Sequence, residues 1–280
     1  AQAMTIGLRP GFSIDTGTLT PDGTPWDLTD DKDFALVKAW RKEETPVLLC
    51  GSPPCNAFSK IQSWNRSRMK PGTWKRMLKE GRMHLERSCE LYHEQIKDGL
   101  YFLHEFPSGS SSPMEPCLRD LLLRHDVFYV KGPMCVWGMT SKDAQGEGLV
   151  KKETYWVTNS RFIALELNQE CTNATGSAPW HRHVHLVDHR AHAARIYPPK
   201  LVAAILRGLR EQLRAIGEMQ VYDYPVPEDP VIPGNDATQE DVDELESYWD
   251  DANGGWLDPK LVRAARAEEL AAIKSYEVYE

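Results

Sequence analysis

One thiol in this sequence stands where a nucleophile would be well placed. Cys55 follows two prolines, shortly after an apolar run at positions 46–50. A run of this length suits a strand buried on both faces, and sheets of such strands present reactive groups beyond their carboxyl ends. A thiol held there by a proline-stiffened loop is suited to covalent catalysis. The alternative for a lone cysteine is a turn with an incidental buried thiol.

The complete string around Cys55 adds a second argument. Residues 53–59 are Pro-Pro-Cys-Asn-Ala-Phe-Ser. This string resembles the catalytic loop of the C5-cytosine DNA methyltransferases, Pro-Pro-Cys-Gln-x-Phe/Tyr-Ser, with Asn56 in place of the usual Gln. The resemblance implies that the Cys55 thiolate adds to C6 of cytosine, so that C5 can take a methyl group from S-adenosylmethionine. It also implies that Pro53 lies against that cofactor and that Ser59 contacts nucleic acid. Because the target atom is stacked inside duplex DNA, the cytosine must be flipped out.

Two further segments are similar to the same family and occur in the same order. The predicted strand 100–103 leads into His-Glu-Phe-Pro, where the family has Glu-Asn-Val or, in divergent members, Glu-His-Pro. The resemblance implies that Glu105 binds N3 of the cytosine and that Phe106 replaces an Asn that helps to brace the catalytic loop. Lys152, in a Lys-x-Thr segment followed by Thr-Asn-Ser, takes the place of a basic residue near cytosine O2 and phosphate. Residues 196–199, Ile-Tyr-Pro-Pro, resemble the last motif of the family.

The cofactor side of the family is incomplete in this sequence. No Phe-x-Gly-x-Gly turn, which in the family cradles the methionine part of S-adenosylmethionine, occurs before Cys55. The resemblance gives Asp15 and Asp27 the places of the acidic residues that contact the ribose and the adenine. Three explanations stay open: the chain is a fragment of a longer polyprotein, the cofactor loop has diverged, or the domain has lost catalysis and kept a nucleic-acid-binding or structural role.

Positive charge is concentrated just after the predicted nucleophile. Nine Lys or Arg residues and only two Glu residues lie between Lys60 and Arg87, with Trp64 and Trp74 interleaved. Such a segment can neutralise phosphates and offer aromatic faces to bases, so cytosine-containing DNA is the predicted partner. The alternative is a solvated helix face, because several of these charges recur at helical spacing. The side chains predicted to contact nucleic acid are Ser59, Lys60, Arg66, Arg68, Lys70 and Lys75.

The elements that must position these residues alternate between strands and helices. This alternation predicts an α/β fold: a Rossmann-like, mostly parallel sheet with helices on both faces and a site at the carboxyl ends of its strands. Cys55 and Glu105 then follow neighbouring strands and should meet in one cleft, which Lys152 reaches from a later strand. The predicted strands are residues 11–15, 46–50, 100–103, 127–130, 154–158 and 181–187, and the predicted helices are residues 31–41, 74–97, 114–124 and 198–216.

The net charge of -8 is unevenly distributed along the 280 residues. Residues 218–280 carry 17 acidic and 4 basic side chains, so the rest of the chain is mildly basic. Four prolines within 224–234 and an acidic run at 236–251 predict a linker. The predicted domains are therefore a methyltransferase-like domain at 1–217, an acidic Pro-rich linker at 218–254 and a short helical segment at 255–280.

The cysteine pattern and the hydropathy limit where the chain is expected to act. The six cysteines include no CxxC pair and no disulfide framework, which favours a reducing compartment, either nuclear or cytoplasmic. The first residues match neither region of a secretory signal. No apolar run approaches the roughly 20 residues that a membrane helix needs, so no membrane partner is expected. Nothing in the sequence sets an oligomeric state.

The end of the chain is similar to a second family. Residues 249–280 contain Trp-Asp-Asp, Leu-Asp-Pro-Lys-Leu-Val-Arg and Ala-Glu-Glu-Leu, which resemble the lead-in to the reverse transcriptase of Copia-type retroelement polyproteins. An ordinary amphipathic helix is the alternative. The sequence has no Tyr-x-Asp-Asp polymerase centre, so no polymerase activity is predicted. The alternative function for the chain is a non-catalytic nucleic-acid-binding or structural segment of a retroelement polyprotein.

A group of histidines forms the last candidate for chemistry. His181, His183 and His185 alternate along a predicted strand and therefore share one face. The spacing fits no standard zinc finger and includes no close cysteine pair. Structural or substrate-facing histidines are the favoured interpretation, and no metal site is predicted. The residues that would join them in the alternative, a zinc site, are Cys135, Cys171, His189 and His192.

Overall fold

The chain divides into two compact units, Ala1–Val184 with Tyr197–Glu228, and His185–Ile196 with Asp229–Glu280. In the second unit the two-residue strands Tyr248–Trp249 and Trp256–Leu257 pair antiparallel. The rest of the predicted linker and helical segment lies outside the described residues, so the domain boundaries stay predictions. The computed structural model describes residues 3, 8–15, 17–59, 65–186, 190 and 194–217, and the backbone of those two short strands.

A four-stranded sheet forms the centre of the first unit. Its strands lie in the order β1 (Leu48–Gly51), β2 (Tyr101–Pro107), β6 (Glu153–Thr158) and β3 (Phe128–Pro133). β1 pairs parallel with β2, whereas β6 runs antiparallel to both β2 and β3. The α/β class is therefore confirmed, but the sheet is mixed and not mostly parallel, and the Rossmann-like arrangement stays a prediction. The other strands of this unit are β4 (Thr140–Asp143), β5 (Gly146–Val150) and β7 (His183–Val184).

The reversed strand has a local cause between β3 and β6. After β3 the chain passes through the 3-10 helix Met134–Trp137 and enters a separate sheet, in which β4 and β5 form an antiparallel hairpin and β5 pairs parallel with β7. After this second sheet the chain returns to the end of the main sheet at which β3 had stopped. β6 therefore begins where β3 ends and runs in the opposite direction. The apolar pattern of β6 does not encode that direction, because a buried strand is apolar on both faces whichever way it runs.

Helices cover both faces of the main sheet. On one face, Phe106 of β2 joins a buried core with Leu85. On the opposite face, a Cβ on Gly132 of β3 would meet the Trp137 ring and the backbone oxygen of Leu167. Among the described residues, no helix has the length and the apolar character needed to cross a bilayer. The helices are α1 (Asp31–Glu44), α2 (Thr73–Lys97), α3 (Pro116–Leu122), α4 (Arg161–Leu167), α5 (Thr172–Thr175) and α6 (Pro199–Ala215).

Two predicted strands differ from the structure. The segment 11–15 is not a strand, because Asp15 begins a turn: its backbone oxygen accepts from the Thr18 backbone N–H, and its side chain caps the Gly17 N–H. Of the predicted strand 181–187, the described residues 181–186 form only β7, which pairs with the last two residues of β5. The hairpin β4–β5 and helix α4 were not predicted from the sequence.

Candidate active site

The carboxyl ends of β1 and β2 build the first part of the candidate site. β1 ends at Gly51, which pairs with His104, so Ser52 leaves the sheet at the level of Glu105. The Ser52 hydroxyl donates to Glu105 Oε2 over 2.6 Å, and Glu105 is only 5% exposed. Glu105 was expected at the end of its strand, but β2 continues to Pro107 because β6 still pairs with it there. The carboxylate lies beside the start of the Cys55 loop, because β1, and not β2, stops at this level.

Lys152 reaches the same place from the third strand of the sheet. It lies just before β6, and an antiparallel strand begins at the edge where its parallel neighbours end. Its Nζ is 3.3 Å from Glu105 Oε1, and its backbone oxygen accepts from the Met134 N–H over 2.9 Å. Within the described part of the chain, Glu105 Oε1 has this ion pair but accepts no hydrogen bond. A buried carboxylate oxygen in that state retains capacity for a donor on a bound ligand.

The thiol of Cys55 shares this environment. The side chain is half-buried in the loop that follows β1. Burial raises the pKa of the Cys55 thiol, the negative charge of Glu105 raises it further, and the positive charge of Lys152 lowers it. The charges of Glu105 and Lys152 therefore reach Cys55, and the two charged groups contact each other directly. These three residues and Ser52 form the candidate cleft.

Apolar packing supports the loop that carries Cys55. Directly after the thiol, the 3-10 helix Asn56–Phe58 buries Ala57 and Phe58 in the same core cluster as Phe106. A Cβ on Gly81 of α2 would lie 2.7 Å from the Ala57 Cβ, so this close approach requires glycine. The Phe58 backbone oxygen also accepts from the N–H of Ser111 over 2.8 Å. The core that contains Phe106 thus holds the loop where the resemblance implies an Asn side chain.

Gly51, at the point where the loop leaves β1, should not tolerate a side chain. A Cβ there would overlap the Tyr92 hydroxyl and lie 2.9 Å from its Cζ, while Tyr92 stacks on Phe102 at 4.8 Å and contacts His104 Nδ1 at 3.0 Å. We expect Gly51→Ala to lower the free energy of unfolding by about 2 kcal/mol or more, as overpacking does in a filled core. Urea unfolding measures this change.

Gly11→Ala is the matched control, because a Cβ on Gly11 meets no atom within 4 Å. If Gly51→Ala unfolds at the same urea concentration as the control, the packing described at the start of the loop is wrong.

Two residues of the cleft were missed by sequence reasoning. The first is Ser52, and the second is Tyr197, whose hydroxyl lies near Ser52 and Glu105 and whose ring packs edge-on against Trp156 at 5.9 Å. Burial, followed by the negative charge of Glu105, raises the pKa of Tyr197 well above its ordinary value. The Tyr-Pro-Pro segment marked Tyr197 as part of a motif, but no spacing in the sequence connects it to a serine beside Cys55.

The residues predicted to hold S-adenosylmethionine take part in local turns. Asp15 Oδ1 caps the Gly17 N–H, and Asp27 Oδ1 accepts from both the N–H and the hydroxyl of Thr29. Pro53 is half-buried in the Cys55 loop. Each carboxylate has a second oxygen that can accept from a ribose or an adenine. The S-adenosylmethionine site therefore stays a prediction.

Binding of S-adenosylmethionine to this chain should be weak, because the Phe-x-Gly-x-Gly turn that cradles its methionine part in the resembling family does not occur before Cys55. We expect isothermal titration calorimetry to give a dissociation constant above about 1 mM, which corresponds to less than about 4 kcal/mol of binding free energy. S-adenosylhomocysteine should behave in the same way, since it presents the same ribose and adenine. A micromolar dissociation constant that Asp27→Asn weakens would contradict this expectation.

The basic residues that follow Cys55 in the sequence differ in exposure and in partners. Arg66 and Arg68 are exposed on the 3-10 helix Arg66–Arg68, and the Arg66 guanidinium lies 5.5 Å from the Trp74 ring centroid. Arg87 is not part of this surface, because it donates to backbone oxygens of Leu28 and Asp30. Of the other predicted contacts, Lys70 and Lys75 are exposed, Ser59 is half-buried, and Lys60 lies outside the described residues.

Reversing charges on this surface should weaken DNA binding. We expect Arg66→Glu, Arg68→Glu and Lys70→Glu together to reduce affinity for any duplex and to lower the salt slope by about 2 to 3, since each phosphate contact contributes about 0.9. Fluorescence anisotropy at several salt concentrations measures both.

Reversing Lys42 and Lys97, which are exposed near the ends of α1 and α2, is the control. Equal effects of the two variants would mean that the basic segment is only a solvated face.

The histidine group is only partly as expected. His181 and His183 lie together, but their neighbours are Cys135 and Cys171. His185 belongs to the second unit, and His189 and His192 lie outside the described residues. The expectation that no metal site exists is therefore open to revision, as argued below.

No protein-family model, curated protein or solved structure matches this chain. The likeness to C5-cytosine DNA methyltransferases rests on the motif residues, and the function has to be argued from the geometry of the cleft.

Proposed function

We propose that this chain carries the cytosine-binding half of a C5-cytosine DNA methyltransferase site, in which Cys55 adds reversibly to C6 of a flipped cytosine. One observation carries the proposal: Cys55, Glu105 and Lys152 converge at one edge of the sheet from three separate strands. A thiol, a buried carboxylate and an ammonium are the groups that this addition needs as nucleophile, acid and counter-charge.

The groups of the cleft can supply the nucleophile and the proton that the addition requires. The Cys55 thiol passes its proton to the Glu105 carboxylate, which then donates it to N3 of the cytosine as the sulfur lone pair forms the S–C6 bond. The π electrons of the C5–C6 bond form a C4–C5 double bond, and those of the C4–N3 bond move to N3, which takes the proton. C5 thereby becomes an enamine-like carbon. Transfer of the proton to N3 returns Glu105 to the carboxylate form.

Electrostatics couples base binding to the formation of the nucleophile. The Glu105 carboxylate raises the pKa of Cys55 in the free protein. Once Glu105 has taken up the proton, this repulsion disappears and the charge of Lys152 favours the thiolate. The thiol is thus kept protonated until a base is present to receive the proton from Glu105.

Methyl transfer would require a donor, and the resemblance implies S-adenosylmethionine. Because the sequence has no Phe-x-Gly-x-Gly turn before Cys55, the proposal for this chain ends at the covalent adduct. A completed site would receive the donor on the side of the C5 atom.

A second candidate function is nucleic-acid binding without catalysis, as a segment of a retroelement polyprotein. Two observations favour it: the pKa of Cys55 is raised, which lowers its thiolate fraction, and Arg66 and Arg68 are exposed. Under this alternative the basic surface binds DNA and the thiol is inert.

Exchange of the C5 hydrogen separates the two candidates without any methyl donor. In the adduct, C5 takes a proton from water, and loss of the original hydrogen followed by loss of the thiolate restores cytosine. We expect a duplex with tritium at cytosine C5 to release tritium into water when this chain is added, and a Cys55→Ser variant to release none. DNA binding without tritium release would support the non-catalytic candidate.

A further inference from the structure

Four side chains with metal-binding atoms meet at the junction of the two sheets of the first unit. Cys135 lies in the 3-10 helix after β3, Cys171 precedes α5, and His181 and His183 flank the start of β7. One ligand atom from each residue lies within 4.8 Å of the others. Both cysteines are almost fully buried, at 3% and 2% exposure. Nothing in the proposed chemistry of the cleft uses these residues.

The distances among the Cys171, His181 and His183 ligand atoms are close to those of a tetrahedral zinc site, and Cys135 Sγ lies within 4.8 Å of all three. Cys171 Sγ lies 3.5 Å from Nε2 of His181 and 3.5 Å from Nε2 of His183. Zn–S bonds of about 2.3 Å and Zn–N bonds of about 2.0 to 2.1 Å put sulfur and nitrogen roughly 3.6 Å apart in a tetrahedron. The two Nε2 atoms are 2.9 Å apart and would need to separate by only about 0.4 Å. The site therefore needs little rearrangement to accept the ion.

Hydrogen bonds from neighbouring side chains also orient His181. The Thr172 hydroxyl lies 3.4 Å from His181 Nδ1 and donates to the backbone oxygen of Pro179 over 3.0 Å. Because its hydrogen is committed to Pro179, the hydroxyl accepts from Nδ1–H, which leaves the Nε2 lone pair for the cluster. The Asn173 side chain also bonds to both the N–H and the oxygen of the His181 backbone. Metal-binding histidines have outer hydrogen bonds of this kind.

We propose that Cys135, Cys171, His181 and His183 bind one structural zinc ion. Two thiolates and two imidazoles are a zinc ligand set, and four protein ligands leave no open position for catalysis.

The local structure gives this ion a mechanical role. α5 has four residues and β7 has two, so the segment 171–184 has little secondary structure of its own to hold it. The ion would join this segment to the connection between β3 and β4. Met134, the neighbour of Cys135, donates to the Lys152 backbone oxygen, so the same connection positions Lys152 beside Glu105. Zinc would thus stabilise the segment and hold one wall of the cleft.

Metal analysis of the intact chain tests this proposal independently of any activity on DNA. We expect about one zinc per chain after purification in zinc-containing buffer without chelators, since a structural site is nearly filled. Replacement by Co²⁺ should give the intense visible bands of a tetrahedral ion, with thiolate charge-transfer absorption in the near ultraviolet. Cys171→Ser and His183→Asn should each lose most of the zinc. The controls are Cys117→Ser and His125→Asn, which lie outside the cluster.

Three results would overturn the proposal. The first is a zinc-free wild-type chain that gives no tetrahedral cobalt spectrum, which needs no variant and so does not depend on any variant folding. The second is full zinc retention in Cys171→Ser. The third is a disulfide between Cys135 and Cys171 in the chain purified under reducing conditions, because an oxidised pair cannot supply two thiolates.

Discussion

Cys55→Ser should abolish tritium release from C5 of cytosine, whereas Cys50→Ser should leave the rate within about twofold of the wild type. The hydroxyl of serine is far less nucleophilic than a thiolate at neutral pH, so addition at C6 stops. Cys50 is a demanding control. It is exposed, and because it pairs with Leu103 in β1 its side chain lies on the same face of the sheet as Glu105. Only Cys55 lies on the loop beyond the strand.

The pH dependence of this exchange should follow the thiol. Burial and the charge of Glu105 place the pKa of Cys55 above its ordinary value of 9.0. The proposed addition uses the thiol proton, because Glu105 passes it to N3 of the cytosine, and a raised pKa means that the free protein keeps this proton in the neutral and mildly alkaline range. We therefore expect kcat/KM for tritium release to stay level from pH 7 to pH 9 and to fall only as the free thiol loses its proton. A fall in kcat/KM that begins below pH 8 would contradict the raised pKa.

Glu105→Gln should give the second large effect, a fall in the exchange rate of about 10²- to 10⁴-fold. The amide can still accept from the Ser52 hydroxyl, but it cannot carry a proton from the thiol to N3 of the base. Affinity for duplex DNA should change little, because Glu105 is buried away from the exposed basic surface.

Glu153→Gln is the control for this variant. Glu153 begins β6 next to Lys152 and contacts Lys131 and Lys151 at 3.7 Å, but it makes no part of the proposed proton path. Thermal unfolding of both variants should be monitored, since removing one partner of a buried ion pair destabilises a protein. If Glu105→Gln keeps its fold and its full exchange rate, Glu105 is not the acid at N3.

Local elements were largely predictable from the sequence because each rests on nearby residues. The 25-residue helix α2 was placed to within one residue by its apolar spacing and by the glycine that follows it. β1 was marked by its apolar run. The direction of β6 was not predictable, since it depends on the hairpin β4–β5, whose polar, glycine-rich strands carry a weak pattern.

The candidate active site and the Cys–His cluster were predictable only in part. Cys55 and Glu105 were predicted to be neighbours because parallel strands end at a common edge, but Glu105 lies within β2, level with the residue that follows β1. Tyr197 was not predicted, because it enters the cleft from the segment before α6, far from Ser52 in the sequence. The Cys135, Cys171, His181 and His183 cluster fits no finger spacing, because Cys135 comes from a distant segment and only the folded sheets bring it to the other three.

Covalent capture on DNA is the most direct test of the central claim that Cys55 adds to C6 of a flipped pyrimidine. A duplex carrying pyrimidin-2-one in place of one cytosine lacks the C4 amino group, so its C6 is more electrophilic and addition needs no methyl donor. The chain should form an adduct that survives denaturation, and peptide mass spectrometry should locate the modified base on Cys55. An absent adduct, despite measured binding of the same duplex, or an adduct on Cys50, would contradict the account.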